Sequence, residues 1–597
     1  MKKTFNKSGA RSFSKGGILA GIVIFSFLIR LIYLWQIKAT PLFDFFAGDS
    51  SFYDLFAMKI AQGDFLYKDS VCLNALYPLF LSVIYFISGH SPAAAAFSQI
   101  ILDSLTCLSL YFLSVRVFKK ETIGLLSAFI YACYSMAIFY TGFLLDVTLV
   151  VFLNVLFILL ILRARDAKKT MAWVYAGVVL GLITVLKAGI LLFIPLLAIW
   201  LWHVNAGKNT IRQVFLPVGM MLICAAVVLL PFAAKNYLIE KNFSPFPAQG
   251  GFNFFVGNNP LARGTYTPFF EIPDSPVAQA KAFVRLAQED KAVYPREDGS
   301  GIEPMTASDA SRYWFNKGLR FIADNKSRYL RLCLKKIFLF FNAEEIQLNA
   351  NYYFCARFIP ALRLPMFSFG LIAPFAALGV VLALRRKERN AYLLILFICG
   401  HLAFLCLYYI AARYRMPAVP FMIVLAAYGA FGYAALFRRE RLKELFLFSL
   451  LLVGSFLVVY KPASPVNSRN DFAVSYNNLG NAYARGNKYD QAVREYLNAI
   501  RENPGYAQAH YNLGNVYYLK NMFKEAAGEY RETVRLDPGN GQAHNNLAVY
   551  YFYVEKDAQQ AREHVNAALQ REVEVNPTFL LELFQAQGDS AGGLKKP

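Results

Sequence analysis

The run GILAGIVIFSFLIRLIYLWQI, residues 17–37, decides the fold class. It carries a single charge, Arg30, and has the roughly 20 consecutive apolar residues that a helix needs to cross hydrocarbon. A basic stretch precedes it and no small-residue cleavage site follows, so it reads as a retained membrane helix and not as a cleaved signal peptide. The rest of the chain has the same character. Of its 597 residues, 57% are hydrophobic and 17% charged, and the mean hydropathy is +0.37, values that fit a polytopic membrane protein and not a soluble one. The net charge of +22 lies largely in short clusters between apolar runs, where it sets topology; no nucleic-acid-binding motif accompanies it.

Further apolar runs fall at about 93–117, 122–140, 143–162, 171–186, 188–203, 213–233, 366–384, 390–410, 416–437 and 443–460, giving about 11 transmembrane helices. A shorter run, 76–88, opens with Tyr77-Pro78 and reads as lying in the interface. With an inside N-terminus, the cations at Lys2–Lys15, Arg116–Lys120, Arg163–Lys169, Lys208–Arg212, Arg385–Arg389 and Arg438–Lys443 all fall inside. The short outside links hold only Lys187, Arg413 and Arg415; counting 76–88 as a span breaks this pattern. The expected organisation is a cytoplasmic N-terminus (1–16), a transmembrane module (17–233) with an outer loop (38–92), a large outer-face segment (234–365), C-terminal spans (366–460), a linker (461–470), helical repeats (471–575) and a tail (576–597). Spans 171–186 and 188–203, parted only by Lys187, are short enough to tilt or to stop short of a full crossing.

Past Pro465 the chain turns polar and repeats every 34 residues. Leu479, Leu513 and Leu547 share the period, as do Tyr483, Tyr517 and Tyr551; Gly480 pairs with Gly514, Ala492 with Ala526 and Pro504 with Pro538. This closely resembles the tetratricopeptide pattern, two helices per repeat. A third unit, about 541–574, carries one extra residue before Ala561 and reads as a capping repeat. The fold class is therefore all-α: a membrane helix bundle with a C-terminal α-solenoid, whose repeats suit a protein partner. The eight cysteines show no CxxC or Cys/His spacing and read as small core residues.

Two acids stand at the outer ends of spans in this topology. Asp49, in Gly48-Asp49-Ser50-Ser51-Phe52-Tyr53, follows Phe43, Phe45 and Phe46 and sits at the lipid–water boundary; its plain reading is a helix-capping acid. Asp146 precedes an apolar run, where the helix dipole favours it, yet an ionisable group at the edge of hydrocarbon is a functional candidate. Asp103 reads as a buried structural acid. Lys235-Asn236-Tyr237 and Gly250-Gly251-Phe252-Asn253, with Gly257-Asn258-Asn259-Pro260, supply tight turns rich in polar groups, ordinary in themselves and suited to a sugar or phosphate. Residues 326–341 read as a basic amphipathic helix on the membrane surface. Arg413 and Arg415 suit an interfacial phosphate.

In order, these features resemble the lipid-phosphate-sugar-dependent glycosyltransferases of the protein-mannosyltransferase-like superfamily, glycosyltransferase family 39. The matching pieces, over about 15–437, are Asp49 with Tyr53, Ala57 and Gly63; Leu145-Asp146; Lys235-Asn236-Tyr237 leading to Gly250-Gly251 and Gly257–Pro260; Asn342-Ala343-Glu344-Glu345; and Ala412–Pro417. The resemblance implies an inverting transfer from a polyprenyl-phosphate sugar on the outer face of the cell membrane, with Asp49 as base. Asp146 would orient hydroxyls, and Tyr53, Lys187, Lys235, Asn236, Asn253, Asn258, Asn259, Arg413 and Arg415 would bind substrate. No metal site is evident, and because related enzymes differ in metal use, a divalent cation is left open. The competing readings are a membrane-anchored repeat scaffold without catalysis and a transporter of lipid-linked substrate. The transporter reading expects charges near mid-membrane and internal symmetry among the spans, whereas the notable charges here gather at outer ends and no repeat is seen among the spans.

Overall fold

The structure, a computed structural model, describes residues 14–43, 48–67, 74–167, 170–205, 210–267, 276–292, 305–364, 366–438, 441–463, 472–571 and 573–586. The cations at Lys2–Arg11, Lys168, Lys169 and Lys208, as well as Phe45, Phe46, Cys72, most of the expected linker and the end of the tail, lie outside them. Two units are present: Met1–Ile37 with Phe46–Val466, and Lys38–Phe45 with Asn467–Pro597.

The first unit is helical. Its helices are α1 (Lys15–Lys38), α2 (Asp49–Ala61), α3 (Leu76–Ser88), α4 (Pro92–Phe118), α5 (Glu121–Ala132), α6 (Ser135–Tyr140), α7 (Val147–Ala167), α8 (Thr170–Leu186), α9 (Phe193–Val204) and α10 (Thr210–Glu240). There follow α11 (Gly250–Gly257), α12 (Pro276–Ala292), α13 (Ala307–Asp324), α14 (Lys326–Phe341), the single turn α15 (Tyr352–Cys355), α16 (Phe369–Arg385), α17 (Arg389–Leu407), the single turn α18 (Ala412–Arg415), α19 (Val419–Arg438) and α20 (Leu442–Val459). Every apolar run read from the sequence holds a helix. Among the described residues seven helices are long and apolar enough to cross a membrane: α1, α4, α7, α10, α17, α19 and α20. The remaining expected spans are shorter or broken, so the count of eleven is not reached on length alone. At 13 residues α3 is about 20 Å long, short of the roughly 30 Å of hydrocarbon.

Three expected spans change shape, each for a backbone reason. The run 122–140 breaks between α5 and α6 because residues beside Tyr134 pair outside the helix: Phe367 N donates to Cys133 O (3.0 Å) and Ser135 N to Phe367 O (3.3 Å). The run 143–162 begins only at Val147, after a turn in which Leu145 N donates to Phe143 O (2.8 Å). Asp146 therefore stands ahead of α7 and not within it. The run 390–410 ends at Leu407, since Ile410 N bonds Gly264 O instead (2.9 Å).

A buried ion pair ties α1 to α4. Arg30 of α1 is fully buried and ion-pairs Asp103 of α4, which also accepts from the Tyr131 hydroxyl; Asp103 is the structural acid expected. Glycines let helices touch at their backbones. A Cβ on Gly379 of α16 would stand 1.9 Å from Leu425 O, and one on Gly429 of α19 would stand 2.3 Å from Phe375 O. On α8, Gly177 and Gly181 likewise admit Met221 and Ala225 of α10, the small-residue spacing of close membrane helices. Cys107 and Cys355 are buried as small core residues, whereas Cys399 is exposed.

The second unit is the expected solenoid: α21 (Ala473–Arg485), α22 (Tyr489–Glu502), α23 (Ala507–Leu519), α24 (Phe523–Leu536), α25 (Gly541–Tyr550), α26 (Ala558–Leu569) and α27 (Pro577–Ala586). Within each repeat the first helix presents a small residue to a ring of the second. Gly480 faces Tyr496 and Gly514 faces Tyr530, with a built Cβ at 2.5 and 2.7 Å from the ring. In the third repeat both positions change together, to Ala548 and Val565, which pack in one core. Its extra residue sits in a π-helical turn, Tyr551–Glu555, closed by Lys556 at φ 59°. Gly514→Ala is expected to cost about 1–3 kcal/mol of repeat stability through overpacking. In a Tyr530→Val background, which copies the third repeat, that cost should largely vanish. Denaturation of the four proteins of this cycle measures the coupling, and additive effects would contradict the packing account.

Candidate functional site

Asp49 opens α2. Gly48 before it has φ 56°, and a Cβ there would stand 2.7 Å from Asn349 Nδ2, so only glycine fits this approach. Asp146 ends the turn ahead of α7 and is fully buried. Lys187 joins α8 to a 3₁₀ turn, Ala188–Leu192, and Arg413 lies on α18. These four elements, far apart in sequence, bring their charges to one place. Arg413 Nη1 lies 2.6 Å from Asp49 Oδ2, and its Nη2 lies 3.9 Å from Asp146 Oδ1. Lys187 Nζ lies 2.8 Å from Asp146 Oδ2. Two carboxylates thus alternate with two cations, one guanidinium reaching both acids.

Asparagines from two loops hold the cluster. Asn74 Nδ2 donates to Asp146 Oδ2 (3.1 Å) and to the Tyr53 hydroxyl (2.7 Å). Asn349, at φ 70°, accepts from Arg413. Aromatic rings close it: Tyr414 carries both Arg413 and Lys187 over its face, at 5.0 and 5.2 Å from the ring centroid. Burial pushes the Tyr53 hydroxyl well above the ordinary tyrosine range, with Asp146 and Asp49 adding to the effect, so Tyr53 is a neutral hydrogen-bonding group.

A cleft of about 490 Å³, counted to its open mouth, borders the cluster. Asp146, Lys187 and Arg413 line it with Asn154, His401 and Tyr414 and apolar side chains. The His401 imidazole bonds Tyr414 O (2.7 Å), which fixes the backbone beside Arg413. Three buried polar atoms on the walls have no hydrogen-bond partner among the described residues: Asp146 Oδ1, Asn154 Oδ1 and Arg413 Nε. Asp49 is not part of the lining, but its side chain is 28% exposed whereas Asp146 is closed off. The pair therefore offers one acid open to solvent and one sealed. Among the described residues no three His, Cys, Asp or Glu side chains group to hold a metal ion.

Other expected site residues lie elsewhere. Asn258 Nδ2 donates to Phe254 O (2.8 Å) and Leu407 O (2.6 Å), and Asn259 Nδ2 donates to Phe255 O (2.9 Å) and Val256 O (3.0 Å). Both are buried with their amide groups already donating to backbone carbonyls, a structural use and not a substrate-facing one. Lys336 serves the same loop, donating to Gly257 O (3.0 Å) and Cys406 O (2.8 Å); burial pulls its ammonium down to about 8. Asn236 bonds Ser244 O (2.7 Å), and Lys235 lies over the Phe56 ring (5.1 Å), beside α2 but outside the cluster. Arg415 donates to Phe340 O (3.1 Å) and Asn342 O (2.7 Å) and ion-pairs Glu345, a clamp on the Asn342–Glu345 turn. Asn253 accepts from the Tyr409 hydroxyl (3.2 Å), in the aromatic layer that also packs Tyr414. Asn74, Asn349, Asn154, His401 and Tyr414 were not singled out from the sequence; an unremarkable asparagine in a loop carries no signal of its partner.

Residues 75–233 match the family model described as dolichyl-phosphate-mannose-protein mannosyltransferase. This segment includes Asp146 and Lys187, while Asp49 and Arg413 lie outside it. Residues 477–541 and 521–577 match the tetratricopeptide repeat. Among solved structures the chain is similar to the crystal structure of MamA, at 24% identity over 21% of this chain and 69% of that one, with a TM-score of 0.17. It is also similar to YrrB, a TPR protein with an unusual peptide-binding site, at 16% identity over 36% and 91%, with a TM-score of 0.17. No curated protein matches the chain.

Removing the shared guanidinium leaves carboxylates without their partner in a buried setting. Arg413→Gln is expected to cost about 3–5 kcal/mol. Adding Asp49→Asn should recover part of that loss, because Asp49 is the carboxylate whose cation has gone, whereas Asp146 keeps Lys187. Thermal unfolding of the single and double variants in detergent checks this, and an unrecovered double variant would contradict the shared-cation reading.

Proposed function

We propose that the chain is an integral-membrane glycosyltransferase of the mannosyltransferase type. It moves a sugar from a polyprenyl-phosphate donor to an acceptor on the outer face of the cell membrane, and its repeats recruit a protein acceptor or partner. The observation that carries the proposal is the meeting of Asp49 and Asp146 on Arg413, with Lys187 beside them. The mannosyltransferase match across 75–233 supports the same reading. The distribution of cations between the apolar runs supports an outward-facing site.

The chemistry is one displacement. An acceptor hydroxyl oxygen attacks the anomeric carbon as the bond to the phosphate oxygen breaks, and the configuration inverts. Asp49, the acid open to solvent, takes the hydroxyl proton as the new bond forms. The electron pair leaves with the lipid phosphate, whose regained charge Lys187 and Arg413 stabilise. Asp146, sealed and with an unpartnered oxygen, accepts from a sugar hydroxyl. At rest Arg413 holds the Asp49 carboxylate at 2.6 Å, so that oxygen is occupied. A donor phosphate competing for Arg413 would free it to face the acceptor hydroxyl as the site fills.

Asp49→Asn should lower transfer by roughly 10²–10⁴ with the protein still inserted and folded. Mass spectrometry of outer-face proteins and glycans would show a hexose-sized mass lost in cells carrying the variant. Wild-type levels of that mass with Asp49→Asn would overturn the assignment of the base. If deleting the whole protein also left the mass unchanged, the transferase reading itself would be overturned in favour of a repeat scaffold.

A further inference from the structure

The second and third repeats fill one socket in two ways. In the second repeat His510 on α23 is held between the Pro504 carbonyl at Nε2 (3.3 Å) and Glu529 of α24 at Nδ1 (2.6 Å). Both partners are acceptors, so both ring nitrogens donate and the imidazole is charged. Thirty-four residues on, His544 of α25 meets the Pro538 carbonyl through Nε2 at the same 3.3 Å. Where Glu529 stood, the third repeat has His564 of α26, and the two Nδ1 atoms lie 2.8 Å apart. Since His544 Nε2–H donates to Pro538 O, its Nδ1 is a lone pair and accepts from His564 Nδ1–H. The contact holds only while one of the two facing Nδ1 atoms keeps a lone pair, so it is lost once both carry a proton.

From these contacts we infer that the terminal repeat is an acid-sensitive joint: proton uptake by the His544–His564 pair breaks the clasp between α25 and α26, while the His510–Glu529 clasp one repeat earlier tightens. The groups around the pair favour this outcome. Arg531 of α24 and Arg571 after α26 both press against further positive charge there, and Asp537 before α25 offers a weak opposing influence. Tyr551 stacks on the His564 ring (5.4 Å, 6°) and accepts from Arg531, so it brings a cation closer and offers no anion. Two arginines facing the pair, with no third ligand among the described residues, suit a proton switch and not a metal ion.

The signs follow from burial and charge. Burial, then His544 and Arg531, pull His564 down to about 4, and burial also lowers His544. The folded pair thus resists protons that the unfolded chain takes up near 6.5, and its stability falls as pH drops from 6.5 toward 4. His510 is shifted upward by Glu529 against its burial, so its clasp is complete below 6.5 and is lost as pH rises. Adjacent repeats therefore respond to acid in opposite directions.

Hydrogen exchange of the full chain in nanodiscs, corrected for intrinsic rates and followed by mass spectrometry, tests this. Between pH 6.5 and 5 the segment 558–569 should open more readily, by about tenfold per pH unit for one proton taken up. Segments 507–519 and 523–536 should keep their protection. His564→Glu, which copies the second repeat, should abolish the acid response of 558–569. His544→Gln, which removes the second basic nitrogen from the contact, should abolish it independently if the first variant is poorly folded. Equal protection of 558–569 at both pH values, or an unchanged acid response in both variants, would overturn the inference.

Discussion

The first unit depends on one guanidinium shared by two carboxylates away from bulk water. Arg413 is 4% exposed and Asp146 is fully buried, so neither charge is tolerable alone; Asp49 holds the first and Lys187 the second. Planarity matters here. The guanidinium presents separate N–H groups toward Asp49, Asn349 and Asp146 at once, which a point-charge ammonium does not match. Lys187 brings the second positive charge to Asp146, and the cluster balances at two of each sign. That balance lets a buried polar cluster sit at the end of apolar helices, and a ligand phosphate entering it must displace a carboxylate from its cation.

The surrounding fold supplies the rigidity. Gly48 lets Asn349 approach the start of α2, the break after Leu145 frees Asp146 from α7, and the bond from Ile410 to Gly264 stops α17 short of α18. Each interruption of an apolar helix leaves a charged side chain at the cluster. The unpartnered atoms on the cleft walls, Asp146 Oδ1, Asn154 Oδ1 and Arg413 Nε, are where the protein leaves hydrogen-bonding capacity for something else.

The apolar runs, the 34-residue period and the extra residue of the third repeat were legible in the sequence, because each is a periodic or compositional signal. Helix ends were less so: the interruptions at Tyr134 and before Val147 arise from backbone bonds to Phe367 and within a turn, which hydropathy does not register. Of the candidate site, Asp49, Asp146, Lys187 and Arg413 were named and do converge. Asn258, Asn259, Asn236 and Arg415 were named as well, yet each serves backbone carbonyls, a need that appears only once the loops are folded. Asn74 and Asn349 show the reverse case, since their importance comes entirely from what lies across from them.

The most direct test of the central claim is an electron-cryomicroscopy reconstruction of the full chain in nanodiscs with a polyprenyl monophosphate. The account predicts the phosphate between Lys187 and Arg413, with Asp49 released from its guanidinium and facing the cleft. A headgroup bound elsewhere, or Asp49 and Asp146 lying on opposite sides of the bilayer, would contradict it.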